Sequence, residues 1–334
     1  MNRMNFDYKR HISDKMAFVS CFFPIKEGIV RHSVEEYKSR ASRLFKSFNT
    51  NIKLFVFTSN EGKDILQSSR LNEKKQIILP NSNVIFNTKY QNVFDIPKLS
   101  KYKNQYEKVA KIMQKAGYNY SAEIGAIWNS KLIFLQEVIE NYSKTSKLFF
   151  WIDIGIVKDD EYFHKKMPLE WPSLERIEKI FSFEVEQTNL SNSTIEKVYT
   201  KKVLFWGIMR KIIKPTSIEN LDIGSYDYFV HAAFFGGPRE MMISLLNEYW
   251  KIHDYVIVKD QCVLREELIL GAYVALNKNY VFMINLEYSH CHNYHTCVGF
   301  IAKYNLCKFN NYVYVFGTHK GKYVPIPKDL GTWI

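Results

Sequence analysis

The chain has 334 residues, of which 46% are hydrophobic and 24% are charged, and this composition excludes a disordered chain. Its formal net charge of +12 favours anionic partners, although the basic residues are spread along the chain instead of forming one basic tail. Five cysteines without a dense framework indicate a reducing compartment, and no apolar leader or apolar run of about eighteen residues is visible. We therefore expect a cytoplasmic protein, for which peripheral membrane contact stays open.

Seven short segments rich in β-branched and aromatic residues are predicted to be strands. Their apolar runs are continuous instead of alternating, which indicates strands that are covered on both faces. The predicted strands are residues 16–23, 52–59, 75–80, 147–156, 202–209, 228–237 and 279–288.

Four longer segments between these strands have helical patterns. They are residues 33–48, 122–143, 238–257 and 260–276. The alternation of strand and helix over the first 160 residues predicts an α/β fold with a Rossmann-type, mostly parallel central sheet flanked by helices. The C-terminal half is more elaborate, and its polar tract at residues 184–198 is predicted to be a loop.

Asp153 stands at the end of the most apolar predicted strand, in the stretch "KLFFWIDIGIV". An ionised carboxylate is rarely buried without a partner, so a positive charge is expected close to it. A divalent metal on a diphosphate is one such partner, and Gly155 would let the backbone pass close to the ligand. The other interpretation is a capping aspartate that bonds backbone amides, and both stay open on these residues alone.

Two further pairs of residues could contact a ligand. Asn129 and Lys131 interrupt the apolar face of the helix before that strand, where they could reach a phosphate or a ribose or simply form a solvated flank. Gly236 and Gly237 follow an apolar run and precede a helix. They would let a ligand approach the backbone, or they would form a tight strand-to-helix turn.

The C-terminal part of the chain adds weaker signals. Asp260 stands at a predicted helix start, where it would cap the helix or accept a proton. His290 and His292 lie in "SHCHNYHTC", which lacks the paired spacing of a zinc site, so they are either surface histidines or ligands of a metal beside Asp153. The absence of a Walker loop, a Gly-x-Gly-x-x-Gly fingerprint and a Gly-x-Ser-x-Gly elbow weighs against nucleotide hydrolases, dehydrogenases and esterases.

Taken in order, several of these stretches resemble the HtrL/YibB family. They are "FVSCFF", "NIKLFVFTS", "IWNSKLIFL", "FFWIDIGIV", "AAFFGG" and "KDQCVL", from about Phe18 to Leu264. The resemblance implies a GT-A-like glycosyltransferase in a single domain over residues 1–334. Residues from about 15 to 160 would form its nucleotide-binding half, and residues from about 161 to 334 would form its half for the acceptor and the donor sugar.

The resemblance also implies site residues. Asp153 takes the place of the metal-binding acidic motif, with Asp-Ile-Gly where most GT-A enzymes have Asp-x-Asp, so Asp160 or a C-terminal histidine would have to complete the metal shell. Gly236 and Gly237 would line the cleft for the donor sugar and the acceptor. Asp260, with Gln261, would act as the base or orient the donor hydroxyls.

The function that follows is a metal-assisted transfer of a sugar, with Mn²⁺ or Mg²⁺, from a nucleotide-sugar donor. A UDP-sugar is the expected donor, and the acceptor would be a hydroxyl of a glycan, a lipid-linked molecule or a protein. Two alternatives remain at this point. The net charge allows a nucleic-acid-binding protein or a metal-dependent nuclease, although nucleic acid is not the expected partner, and the single carboxylate allows a catalytically inactive module that binds sugar nucleotides.

Overall fold

A mixed β-sheet forms the centre of the molecule, with helices on both of its faces. The computed structural model describes residues 16–25, 32–69, 83–118, 120–142, 144–158, 171–189, 192–199, 201–209, 217–220, 228–259, 264–285, 312–315 and 324–325. The strands are β1 Met16–Phe22, β2 Lys53–Thr58, β3 Val84–Asn87, β4 Leu148–Ile152, β5 Ser182–Asn189, β6 Asn192–Tyr199, β7 Val203–Met209, β8 Tyr228–Val230, β9 Phe234–Pro238, β10 Val281–Asn285, β11 Tyr312–Val315 and β12 Val324–Pro325.

The α-helices lie mostly between the strands along the chain. They are α1 Val34–Ser47, α2 Asn60–Ser69, α3 Pro97–Ser100, α4 Lys103–Lys115, α5 Ala122–Glu137, α6 Leu174–Phe181, α7 Arg239–Val258 and α8 Glu266–Leu276. Short 3₁₀ segments occur at Val93–Asp95, Ile218–Asn220 and Lys278–Tyr280, and a π-helical turn at Val138–Tyr142 extends α5. Within the described residues, no helix is both long and apolar enough to cross a bilayer.

The strand order shows where the two halves of the sheet meet. The main sheet has the order β12-β11-β10-β7-β9-β4-β1-β2-β3, with β8 paired to β7, while β5 and β6 form a separate hairpin. Strands β3, β2, β1 and β4 are parallel, and β9 lies antiparallel between β4 and β7. The chain runs outward from β1 to β3 and then returns to β4 on the other side of β1. The fold is therefore Rossmann-like, with the reversal of strand order between β1 and β4.

The central strands are buried on both faces, as their continuous apolar runs predicted. Every residue of β1 and of β4 is buried. Ala17 and Val19 of β1 belong to the core under α4, α5, α7 and α8. Phe18 of β1 belongs to the core under α1, α2 and α6. Because each buried Phe or Val contributes about 1.5–3 kcal/mol, these two cores hold the sheet and its helices in one arrangement.

The predicted strand at residues 228–237 is in fact two strands. β8 pairs with β7, whereas β9 pairs with β4, so the chain changes its partner between them. Gly236 and Gly237 lie inside β9 instead of in a turn. A Cβ on Gly236 would lie 2.3 Å from the carbonyl oxygen of Phe149, and one on Gly237 would lie 2.8 Å from that of Lys202. These glycines therefore permit close packing of neighbouring strands.

The other predicted elements agree to different degrees. The polar tract at residues 184–198 is a hairpin of β5 and β6, so its prediction as a loop is wrong. The helix predicted over residues 122–143 has its α-helical part at Ala122–Glu137. The helix predicted over residues 260–276 is described from Glu266. The strand predicted over residues 75–80 lies outside the described residues.

Candidate functional site

A cavity of about 340 Å³ opens where strands β1 and β4 end. The chain that leaves β1 and the chain that leaves β4 form two of its walls, and the starts of α1 and α8 and one side of α5 form the others. In open α/β sheets, ligands bind beyond the carboxyl ends of the strands at the point where the strand order reverses. The cavity occupies this point, and its volume lies in the range of small-molecule sites.

A buried lysine forms the centre of the cavity floor. The Nζ atom of Lys131 lies 2.8 Å from Oδ1 of Asp153 and 2.7 Å from Oε1 of Glu266. It also donates a hydrogen bond of 3.0 Å to the carbonyl oxygen of Ala232. An ammonium group has three hydrogens, and these contacts use all of them. The positive charge that Asp153 required is therefore supplied by Lys131.

Different elements of the fold place these three residues. Helix α5 begins after Ser121, whose hydroxyl accepts a hydrogen bond of 3.2 Å from the amide of Ile124, and it carries Lys131 across β1 and β4. Glu266 is the first residue of α8, where the helix dipole favours a negative charge. The three side chains therefore meet only because α5 and α8 pack at the same end of the sheet.

Asp153 directly follows β4 and is held at both its backbone and its side chain. Its amide donates a hydrogen bond of 2.8 Å to the carbonyl oxygen of Ala233, in the segment that joins β8 to β9. Its Oδ1 also accepts a hydrogen bond of 2.6 Å from the indole nitrogen of Trp151. The orientation of this carboxylate is therefore fixed before any ligand binds.

The charges of the cluster follow from burial and from these contacts. Burial raises the pKa of Glu266 to about 7, against the effect of Lys131, and the nearby carboxylates of Glu267 and Asp153 act in the same direction as burial. Burial acts to lower the pKa of Lys131, but Asp153 and Glu266 together raise it above its ordinary value. Lys131 therefore stays charged, and protonation of Glu266 removes one negative charge from the cluster.

A histidine and a cysteine that line the cavity differ in their ability to accept a proton. Burial lowers the pKa of His231, with Glu267 and Asp153 opposing it, so the imidazole is neutral at neutral pH. Burial raises the pKa of Cys21 to about 12, so this residue is present as the thiol and is a poor nucleophile. Of the two, only His231 is suited to accept a proton.

The walls above the floor are basic and aromatic. Arg40 of α1 pairs with Glu36, and Arg265 forms a hydrogen bond of 2.6 Å with Glu267. The wall also contains His32, Tyr37, Tyr120, Trp128 and Lys158. The cavity thus combines an acidic pair at its floor with cationic and aromatic groups around it.

The structure brings three of the predicted site residues together. Lys131, Asp153 and Gly155 all line the cavity. A Cβ on Gly155 would lie 3.0 Å from the ring of Tyr37, so this glycine lets α1 approach the end of β4. Among the described residues, the group that lies close to Gly155 is therefore the ring of Tyr37, where the sequence predicted a ligand.

Other predicted site residues lie elsewhere. Asn129 faces α7 instead of the cavity, since its Nδ2 donates to the carbonyl oxygen of Gly125 at 2.8 Å and its Oδ1 accepts from the hydroxyl of Tyr249 at 2.5 Å. Gly236 and Gly237 pack inside the sheet, as described above, and do not line this cavity. Geometry therefore gives these three residues structural roles in place of the predicted contacts with a ligand.

The remaining predicted residues lie outside the described ranges: Asp160, Asp260, Gln261, His290 and His292. The roles given to them stay predictions. Among the described residues, no group of three or more His, Cys, Asp or Glu side chains is placed to hold a metal ion. Oδ1 of Asp153 is also already engaged by two donors. By themselves, the described residues therefore do not fit a divalent ion.

Sequence reasoning missed Glu266 and His231. Glu266 belongs to a charged triplet, "REE", that precedes the apolar run of α8, and two adjacent carboxylates at a helix start are a usable signal. His231 stands in the middle of what was predicted as a single strand. Its exposure to the cavity depends on the change of partner between β8 and β9, which local sequence does not show.

Comparison with models of protein families gives a match. A family model described as "Bacterial protein of unknown function (HtrL_YibB)" matches residues 14–214. No curated protein matches the chain. The matched residues include Lys131 and Asp153, whereas His231 and Glu266 follow the matched segment.

Proposed function

Because the chain belongs to the HtrL_YibB family, bacterial proteins of unknown function, we propose from the chemistry of its own cavity that it is a glycosyltransferase that uses a nucleotide-sugar donor. The observation that carries this proposal is the cavity at the reversal of strand order, with the Lys131 cluster as its floor and cationic and aromatic side chains around it. Nucleotides occupy this position in many Rossmann-like folds.

The cationic wall supports a diphosphate as part of the ligand. Arg40 is 7% exposed, and its Nε has no hydrogen-bond partner among the described residues. Arg40 lines the cavity, and guanidinium groups match phosphate oxygens well. Lys158 and Arg265 add positive charge to the same cavity. The net charge of +12 also favours the approach of an anionic ligand.

The aromatic wall supports a base or a sugar as a further part of the ligand. The rings of Tyr120 and Trp128 lie edge to face, with their centroids 5.2 Å apart, and both residues line the cavity. Tyr37 lines it from α1. The flat faces of aromatic side chains pack against the ring of a base or a sugar. The hydroxyl of Tyr and the indole N–H of Trp can also form hydrogen bonds with it. The cavity offers cationic groups, aromatic rings and carboxylates, and a nucleotide-sugar carries a diphosphate, a base and sugar hydroxyls that match them.

The chemical step that we propose is the transfer of the sugar to an acceptor hydroxyl with departure of the nucleoside diphosphate. The diphosphate gains negative charge as it leaves, and Arg40 and Lys158, which line the cavity, would stabilise that charge. The acceptor hydroxyl must lose a proton, for which Asp260 is predicted from the sequence and His231 is available in the cavity. The GT-A class and a UDP-linked donor belong to the same proposal.

The proposal includes a divalent ion only if residues outside the described ranges bind it. Mn²⁺ or Mg²⁺ would need ligands such as His290 and His292, since the described residues alone do not supply a metal site. When bound, such an ion would polarise the diphosphate. The nucleic-acid alternative is less well supported, because the groups that carry chemistry lie in a concave cavity instead of along a basic stripe.

Thermal unfolding with and without nucleotides tests the proposed function. The full chain is melted with UDP, GDP, CDP and ADP, each alone and each with Mn²⁺, at a concentration about a hundredfold above Kd. A bound nucleotide should raise Tm by about 3–5 °C, because ligand at that excess adds about 2.7 kcal/mol to the free energy of unfolding. The absence of a shift with every nucleotide, with and without the ion, would overturn the proposal.

A further inference from the structure

The floor of the cavity cannot contact a phosphate through Lys131 without losing an internal bond. The ammonium group already contacts Asp153, Glu266 and the carbonyl oxygen of Ala232 at 2.7–3.0 Å. It has only three hydrogens to donate. In this structure Lys131 holds the two carboxylates in place and is not a free cation for a ligand.

The charge of the floor also disfavours a phosphate. Two carboxylates surround one ammonium group, so an incoming phosphate would meet at least as much negative charge as positive charge. Like charges repel one another, and they do so more strongly in a partly buried site than in water. The cationic residues Arg40, Lys158 and Arg265 line the cavity around this floor, so the wall that they form is the better place for the diphosphate.

Each carboxylate keeps one oxygen that can accept further hydrogen bonds. Lys131 engages Oδ1 of Asp153 and Oε1 of Glu266, and among the described residues no donor contacts the second oxygen of either group. The side chain of Asp153 is 35% exposed, and both residues line the cavity. A fixed pair of carboxylate oxygens is suited to donors that carry no negative charge, which describes the hydroxyl groups of a sugar.

We infer that Asp153 and Glu266 form a subsite that binds the hydroxyl groups of the sugar, while the phosphates of the same ligand contact the wall around Arg40. The inference rests on the proposed function and assigns one part of the ligand to each part of the cavity. It also gives Asp153 a role that differs from metal binding, since its carboxylate then contacts the sugar directly.

Isothermal titration of the full chain tests this division. The probes are UDP, UDP-glucose, UDP-galactose and UDP-N-acetylglucosamine, and the proteins are wild type, Glu266→Gln and Asp153→Asn. We expect wild type to bind at least one UDP-hexose more tightly than UDP. Each variant should lose about tenfold in affinity for that UDP-hexose, because a charge-assisted hydrogen bond is lost or weakened, and should bind UDP within about twofold of wild type.

Two results of this titration would overturn the inference. If UDP and the UDP-hexose are weakened by the same factor, the carboxylates act on the phosphates, directly or through a metal ion, and repeating the titration with Mn²⁺ separates those two cases. Unchanged affinity for the UDP-hexose in both variants would overturn it as well. Glu248→Gln is the matched control, because Glu248 pairs with Lys251 on α7, outside the cavity, and should leave every affinity unchanged.

Failure of the proposed function gives a different result. If wild type binds none of the nucleotides, the donor assignment is wrong, and saturation-transfer NMR with free glucose, galactose and N-acetylglucosamine then decides the subsite. Contacts that disappear in Glu266→Gln would support it, and no contact with any hexose would overturn it. Should Glu266→Gln fail to fold, Asp153→Asn gives the same comparison at a more exposed side chain.

Discussion

The ammonium nitrogen of Lys131 lies 2.7 Å from Oε1 of Glu266, and this contact joins helices α5 and α8 at the carboxyl end of the sheet. Both side chains are almost fully buried. A buried charge without its partner has a high cost, so each of the two residues depends on the other. The same contact also fixes one carboxylate of the cavity floor, which links the stability of the fold to the shape of the site.

Replacement of Lys131 by Met is expected to lower the free energy of unfolding by about 3–5 kcal/mol, because it leaves two carboxylates close together without their cation. Urea denaturation measures this loss. Lys251→Met is the control, since Lys251 forms an exposed pair with Glu248 and should cost less than about 1 kcal/mol. Equal losses in the two variants would contradict the role given to the buried cluster.

The ionisation of Glu266 predicts how stability depends on pH. Its pKa is about 7 in the folded protein, whereas the ordinary value for a glutamate in the unfolded chain is 4.5, so between these values the folded state binds more protons than the unfolded state. The contribution of Glu266 is therefore fully present below about pH 4.5 and is lost as pH rises through about 7, by about 3 kcal/mol in total.

The comparison of wild type with Glu266→Gln isolates this effect from all other titrating groups. Urea denaturation at about pH 5, 6, 7 and 8 should show the variant becoming more stable relative to wild type as pH rises. A constant difference between wild type and Glu266→Gln over this range would mean that Glu266 is ionised throughout.

The sequence predicted part of the site because burial of a charge is a local property. Asp153 in an apolar strand required a nearby cation, and that requirement is visible in a few residues. The identity of the cation depends on how α5 crosses the sheet, and the second carboxylate depends on where α8 begins. Both are long-range facts, so Lys131 was considered for a phosphate and Glu266 was not considered at all.

Local sequence also predicted only some of the helices and strands. Strands β1, β2, β4 and β7 were predicted because a sheet covered on both faces gives continuous apolar runs. The β5–β6 hairpin is polar and lies outside the main sheet, so its sequence was typical of a loop. Helix α4 was missed although its buried residues Tyr106, Val109 and Ala110 have helical spacing, and in that case the signal was available.

Gly236→Ala is expected to be strongly destabilising, by about 1–3 kcal/mol or more, because the new Cβ would lie 2.3 Å from the carbonyl oxygen of Phe149 and backbone cannot move aside cheaply. Thermal unfolding measures the change. Gly117→Ala is the comparison, since Gly117 has a φ of +86° with open space around it and should cost about 1 kcal/mol from backbone strain alone. A smaller loss for Gly236→Ala than for Gly117→Ala would contradict the packing role.

Arg40→Gln is expected to weaken UDP binding by about tenfold, because it removes a guanidinium group from the cavity wall that we assign to the diphosphate. Titration calorimetry at two salt concentrations measures this, and the affinity of the variant should also fall less steeply with salt. Arg176→Gln removes another buried arginine that does not line the cavity, and it should leave the affinity for UDP unchanged. Equal effects of the two substitutions would remove the support for a phosphate-binding wall.

Asn129→Ala separates the structural role of this residue from the ligand contact that the sequence predicted. The hydroxyl of Tyr249 donates to Oδ1 of Asn129 inside the interface of α5 and α7, and both side chains are buried. Truncation leaves that hydroxyl without its acceptor, so the free energy of unfolding should fall by about 1–3 kcal/mol. The affinity for UDP, measured below the melting range of the variant, should stay within about twofold of wild type.

A double variant tests whether the hydrogen bond causes the loss of stability. Tyr249→Phe removes the donor together with the need for an acceptor, so Asn129→Ala combined with Tyr249→Phe should be less destabilised than the sum of the two single variants. A large loss of UDP affinity with unchanged stability would instead return Asn129 to the site.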